Sequence, residues 1–107
     1  MSDYVVCMMT APNEAEAKRI GRTLVEERLV ACCNIIPNVT SIYMWQGKIR
    51  EEGEVICLMK TRKELFPAIK KRVKELHPYD VPEIISLKIK DGLYEYLKWI
   101  DEVTEIK

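Results

Sequence analysis

The sequence predicts an α+β domain in which an antiparallel sheet is backed by helices. Three observations predict it. β-branched and apolar runs alternate with segments of helical spacing in the order β-α-β-β-α-β-α. A long run from Ala31 to Ile49 meets a second, from Lys48 to Lys60, at the Gln46-Gly47 turn pair. The chain has 107 residues, which fit one domain over 1–107 and leave little room for another.

The first strand is expected over Tyr4 to Thr10, apolar enough to be buried on both faces, and Pro12-Asn13 stops it. Asn13 with Glu16 three residues on is an N-cap and capping-box signal, and Glu14 adds acid to the first turn. Ala17, Ile20, Gly21, Leu24 and Val25 then form one helical stripe. A glycine inside a helix costs about 1 kcal/mol against alanine, so Gly21 implies close approach of the helix to a sheet.

The run from Ala31 to Ile49 reads as one strand broken at Pro37-Asn38, where proline cannot donate to a ladder and a bulge or edge is required. Its partner contains a second expected irregularity at Glu52-Gly53 and a buried part from Val55 to Met59. The resulting β2–β3 hairpin is long for so short a chain, and its outer half overhangs any core one chain can build. That overhang calls for a partner.

Thr61 and Glu64 fit another capping box, with Leu65, Ile69, Val73 and Leu76 at helical spacing and Pro67 in or near the first turn. His77-Pro78 ends this helix. After Pro82 a strand alternates Ile85, Leu87 and Ile89, expected to be buried, with Ser86, Lys88 and Lys90. Asp91-Gly92 turns into a last helix with Leu93, Leu97 and Ile100 on one face. The first six elements have the βαββαβ order of the ferredoxin-like fold, with an extra C-terminal helix.

Composition narrows the function. Lys+Arg and Asp+Glu are 17 each, so the net charge is zero and no long-range field favours nucleic acid or a membrane surface. No apolar run approaches the ~20 residues of a membrane span. Met1-Ser2-Asp3-Tyr4 lacks a basic and then apolar leader pattern, so no secretion signal is expected. Cys7, Cys32, Cys33 and Cys57 lie in strand-like runs and read as reduced, mostly buried thiols of a cytoplasmic protein. A domain of this size buries only roughly 65% of its extended surface, so oligomerisation is a useful source of further burial.

The glycines are scattered, which removes phosphate-cradling loops and the nucleotide cofactors they hold; no organic cofactor is expected. Adjacent Cys32 and Cys33 point to opposite strand faces, which is not a zinc pair. Cys7 and Met9 share a face and are soft ligands that suit Cu(I), although a packed core strand accounts for them without metal. His77, the single histidine, stands at a helix-to-loop junction and can be a cap, a metal ligand or an acid/base group. It opens the densest polar segment, His77-Pro78-Tyr79-Asp80-Val81-Pro82-Glu83, where two prolines hold three polar side chains in place. Lys60 precedes the helix leading there and is expected to reach Glu83 or Asp80. Tyr43 and Trp45 share a face of the overhanging hairpin and suit an interface or a pocket wall, with interface preferred.

Five segments also carry a resemblance. Thr10 to Asn13, Ala31-Cys32-Cys33-Asn34-Ile35-Ile36-Pro37, Tyr43 to Ile49, Lys60-Thr61 and His77 to Glu83 resemble, in order and spacing, the signature of the CutA family, and Tyr94, Leu97 and Trp99 match a further pattern of it. The resemblance implies a non-enzymatic PII-like homotrimer linked to divalent-cation tolerance, with copper or another divalent cation as the expected ligand. It implies a pocket between subunits formed by Lys60, His77, Tyr79 and Glu83, with Tyr43, Trp45 and Asn34 nearby. Bacterial members often carry Cys where this chain has Met9 and a second His where it has Leu76. A metal set of His77 and Met9 therefore implies Cu(I) before Cu(II). The alternative is a PII-like signalling or scaffold trimer that senses a small ligand or a protein.

Overall fold

A computed structural model describes residues 3–106. The start of the chain at Met1-Ser2 and its last residue, on which the leader and domain-limit readings partly fall, lie outside the described residues. The elements are β1 (Tyr4–Ala11), α1 (Glu14–Glu26), β2 (Cys32–Trp45), β3 (Lys48–Arg62), α2 (Phe66–Leu76), β4 (Ile84–Lys88) and α3 (Tyr94–Val103), with one 3-10 turn at Lys63–Leu65. The four strands form one antiparallel sheet in the order β2-β3-β1-β4. This is the ferredoxin-like arrangement with a helix added.

Local chemistry explains most boundaries. Asn13 Oδ1 accepts from the Glu16 N–H at 2.9 Å, which caps α1. The helix ends because Arg28 enters the left-handed region at φ 60°, and the Leu29 N–H then donates to Leu24 O at 3.0 Å. Gln46 and Gly47 take φ 50° and 77°, the pair of positive values that closes a tight hairpin between Trp45 and Lys48. The ladder shifts register between Ile36 and Val39, so the bulge expected at Pro37-Asn38 is present, with Asn38 at φ 62°. Pro67 lies in the first turn of α2.

Four expectations are corrected. Glu52-Gly53 is no irregularity: Ser41 faces Glu52 and Thr40 faces Gly53 in unbroken register. Thr61 caps no helix, because β3 runs through it and its hydroxyl donates to Leu29 O at 2.6 Å instead. Leu93 precedes α3 and is exposed, whereas Leu97 and Ile100 are buried with Tyr4 and Ala31. The fourth correction concerns β4. Ile84 packs on the main core, while Ile85 and Leu87, at 47% and 50% exposure, face away from it.

The register explains that inversion. Residues opposite one another share a face, so Val5, Cys7, Met9, Val55, Cys57, Met59 and Ile84 face α1 and α2 and make the core. Val6, Met8, Ile56, Leu58, Ile85 and Leu87 take the other face, which α3 covers only near Tyr4. The alternation in β4 was legible, but which side the chain itself covers was not.

Candidate functional site

The loop after α2 is held by a small set of polar contacts. Arg19 Nη2 donates to Leu76 O at 2.6 Å, securing the last turn of α2 from α1. His77, only 7% exposed, places Nε2 2.7 Å from Thr10 O. A carbonyl only accepts, so Nε2 carries the proton; Nδ1 then accepts from the Tyr79 N–H at 3.1 Å. Both ring nitrogens are therefore engaged, and the imidazole pins the loop to the end of β1. The His77 and Tyr79 rings also pack with centroids 4.7 Å apart. The Tyr79 hydroxyl continues the chain of contacts by donating to Glu54 Oε2 at 2.9 Å.

These contacts close one side of a cavity of about 800 Å³. The loop contributes Tyr79, Asp80 and Glu83, and the hairpin contributes Tyr43, Trp45, Arg50, Glu52 and Glu54, with Thr10 at the end of β1. The tight turn sets this up. Trp45 faces Lys48, so Tyr43 faces Arg50 and Ser41 faces Glu52, and aromatic and charged side chains project from one face of the ribbon. Four carboxylates and one guanidinium line the cavity, so the charge of the lining is net negative. Burial together with the Glu54 and Glu52 carboxylates pushes the Tyr79 phenol well above its ordinary range, and desolvation and Glu52 raise that of Tyr43.

Four sequence-predicted residues, Tyr43, Trp45, Tyr79 and Glu83, thus meet at one cavity, with His77 bracing it from below. Lys60 and Asn34 do not reach it within one chain. Lys60 Nζ donates to Asn34 Oδ1, rather than to Glu83 or Asp80, on the bare face of the sheet. Met9 is fully buried in the core, on the helix side. Among the described residues, no three His, Cys, Asp or Glu side chains converge to hold a metal ion. Sequence reasoning missed Glu52, Glu54 and Arg50. The signal was available, since counting outward from the Gln46-Gly47 turn puts all three on the face of Tyr43.

The profile of a family described as "CutA1 divalent ion tolerance protein" matches residues 5–103. The chain belongs to the CutA1 family. It is 52% identical over 99 residues to the divalent-cation tolerance protein CutA of Thermus thermophilus, covering 92% of this chain and 96% of that one. Against human protein CutA the identity is 50% over 97 residues, covering 91% of this chain but 54% of the relative, so the chain spans about half the human protein's length. The crystal structure of CutA1 from Oryza sativa superposes with a TM-score of 0.96 at 39% identity, covering 99% of this chain and 97% of that one. A structure titled periplasmic divalent cation tolerance protein CutA, from Archaeoglobus fulgidus, gives a TM-score of 0.93 at 41% identity, covering 95% and 99%. Among the described residues of this CutA1-family chain, no helix is long and apolar enough to cross a membrane.

Proposed function

We propose that this chain serves divalent-cation tolerance as a homotrimer, holding copper or another divalent cation in a cavity completed at a subunit boundary. The observation that carries the reading is the cavity itself: an open cavity whose lining holds four carboxylates and one arginine. Carboxylate oxygens suit divalent cations, but such ions take several ligands, and one chain brings no converging set of three. A second chain is the simplest source of the missing groups. The bare sheet face supports that step, because Ile85, Leu87 and Ile36 stand half exposed on it and Lys60 and Asn34 lie in its midst. Packing sheets there would bury apolar surface worth roughly 25 cal/mol per Å² and bring Lys60 toward a neighbour's loop.

His77 enters as the brace of the cavity. For it to ligate metal, Nδ1 must give up the Tyr79 N–H. Met9 would take a cation only from within the core. With both nitrogens engaged, His77 is also poorly placed for acid/base work, which supports a non-enzymatic role. Four free cysteines support a reducing, cytoplasmic setting.

A second reading, a PII-like sensor of a small ligand, is favoured by the cavity's volume and by the aromatic walls of Tyr43, Trp45 and Tyr79. Light scattering and calorimetry test both. A mass near three times 12.5 kDa is expected. Titration with Cu(II), Zn(II) or Mn(II) should give heat that Glu54→Gln and Glu83→Gln reduce. A monomeric mass, or metal binding indifferent to both substitutions, overturns the first reading.

A further inference from the structure

The cavity between the hairpin and the loop after α2 carries more acid than its one arginine balances. Glu52, Glu54, Asp80 and Glu83 against Arg50 leave a formal excess of three negative charges. These carboxylates are spread out. Among the described residues, no three of them come close enough to share one metal ion. Glu52 and Glu54 follow one another on the same face of β3, roughly 7 Å apart along the strand, and Asp80 and Glu83 come from the loop.

Glu54 is the sheltered member, at 8% exposure, whereas the other three are exposed. A carboxylate accepts about four hydrogen bonds, and buried polar atoms are normally satisfied. Among the described residues Glu54 accepts from the Tyr79 hydroxyl alone, at Oε2, so Oε1 is left for a donor from the cavity it lines. A second, independent observation is aromatic. Tyr43 and Trp45 of the hairpin and Tyr79 of the loop line the same space. The faces of such rings attract cations, and apolar ring surface also packs against the methylene stems of amines. A volume of about 800 Å³ suits an organic molecule better than a bare ion.

We propose that the cavity binds a linear polyamine, its ammonium groups on the carboxylates and its methylene segments along the aromatic rings. The inference rests on the cavity being a small-ligand site, the second reading of its function. Charges spaced along a flexible chain match carboxylates spaced around a cavity, where one ion would leave most of them unmet. A protonated triamine cancels the excess charge of the lining. Its innermost ammonium donates to Glu54 Oε1, a charge-assisted bond in sheltered surroundings. Glu52, about one four-carbon segment farther along β3, takes the next ammonium. Tyr43 and Trp45, nearer the hairpin turn, cover the chain between and beyond them. The same lining repels anionic ligands such as nucleotides.

The test is calorimetry of the full chain with spermidine in metal-free buffer, beside indole as a neutral aromatic probe. Spermidine should bind saturably, at one site per chain, and more weakly as salt is added. Glu54→Gln should weaken it on the order of tenfold. Trp45→Ala, at an exposed position outside the core, should weaken it on the order of fivefold, and decides the matter should Glu54→Gln fail to fold. Glu102→Gln removes the same charge from the exposed side of α3 and should leave binding unchanged. Equal weakening in Glu102→Gln would mean that the amine follows net charge, and unchanged binding in Trp45→Ala that no ring holds it; either overturns the proposal. Heat from indole without heat from spermidine overturns the choice of a polyamine while the cavity stands as a small-ligand site. Heat from neither overturns the inference together with the reading it rests on.

Discussion

The Tyr79 hydroxyl donates to Glu54 Oε2 at 2.9 Å, joining the loop after α2 to the middle of β3 across 25 residues of sequence. Glu54 is only 8% exposed and accepts from the phenol on the cavity wall. Tyr79→Phe therefore leaves a nearly buried carboxylate without that donor. The expected cost is about 1–3 kcal/mol of unfolding free energy, read by urea titration. Glu54→Gln in the same background should restore part of it, since a neutral amide is cheaper to bury. Additive losses in the two single variants and the double variant would show that the pair does not interact.

His77 braces the same loop from the other side. His77→Ala removes the donor to Thr10 O and the acceptor for the Tyr79 N–H, both in partly or fully buried surroundings. A loss on the order of 2–4 kcal/mol is expected from two unmet backbone groups. Hydrogen exchange at the Tyr79 amide should rise more than at the Val73-bonded His77 amide, which belongs to the end of α2. Equal rises at both would mean that the helix end frays and the ring is not the brace.

How far the site was legible depends on which physical signal each residue carried. Asn13 acts through its side chain on a backbone three residues away, and Pro37-Asn38, Gln46-Gly47 and His77-Pro78 act through their own backbones, so their roles could be read from local chemistry, and the structure has all four as expected. Thr61 and Ile85 could not be read so. A Thr with Glu three residues on marks a cap only if the strand has already ended, and here the ladder with β1 carries β3 through Arg62. Ile85 alternates correctly, yet alternation says only that two faces differ. Its apolar side turned out to be the face the chain leaves bare. Glu54 was missed because a carboxylate in a strand reads as solvent-facing, while the Tyr79 hydroxyl that shelters it lies 25 residues away.

Gly21 was read as a close approach of helix and sheet, and the approach is to Cys33. Gly21→Ala gains helix propensity of about 1 kcal/mol but sets a methyl 2.8 Å from Cys33 Sγ. The Cys33 side chain, with its Cβ also only 3.2 Å from that position, must shift to admit it, and a net loss of about 1–3 kcal/mol is expected. Adding Cys33→Ala frees the space, so the double variant should be more stable than Gly21→Ala alone. Thermal unfolding of the three variants checks this, and a double variant no better than Gly21→Ala would place the strain elsewhere.

The last prediction concerns alkaline pH. Tyr4 is buried, and its hydroxyl donates to Asp101 Oδ2 at 2.6 Å. That hydrogen bond, then burial and the Asp101 charge, pushes the phenol from 10.0 up to about 12. The protonated phenol is the form the fold favours. Its contribution is fully present below the unfolded-state value near 10 and declines as pH rises toward about 12, because the unfolded chain ionises first. Unfolding free energy should therefore fall between these two values. Tyr4→Phe should remove Tyr4's share of that decline, at a cost near 1 kcal/mol at neutral pH for the lost hydrogen bond. Tyr79, raised beyond the same range, adds to the slope, so Tyr4→Phe flattens the profile without levelling it. Arg62, which pairs with Asp101 at 3.7 Å and donates to Thr104 Oγ1 at 2.9 Å, keeps α3 docked in the variant. Stability measured by urea titration at intervals from pH 9 to pH 12 provides the check. A Tyr4→Phe profile parallel to that of the wild type would show that the phenol ionises alike in both states.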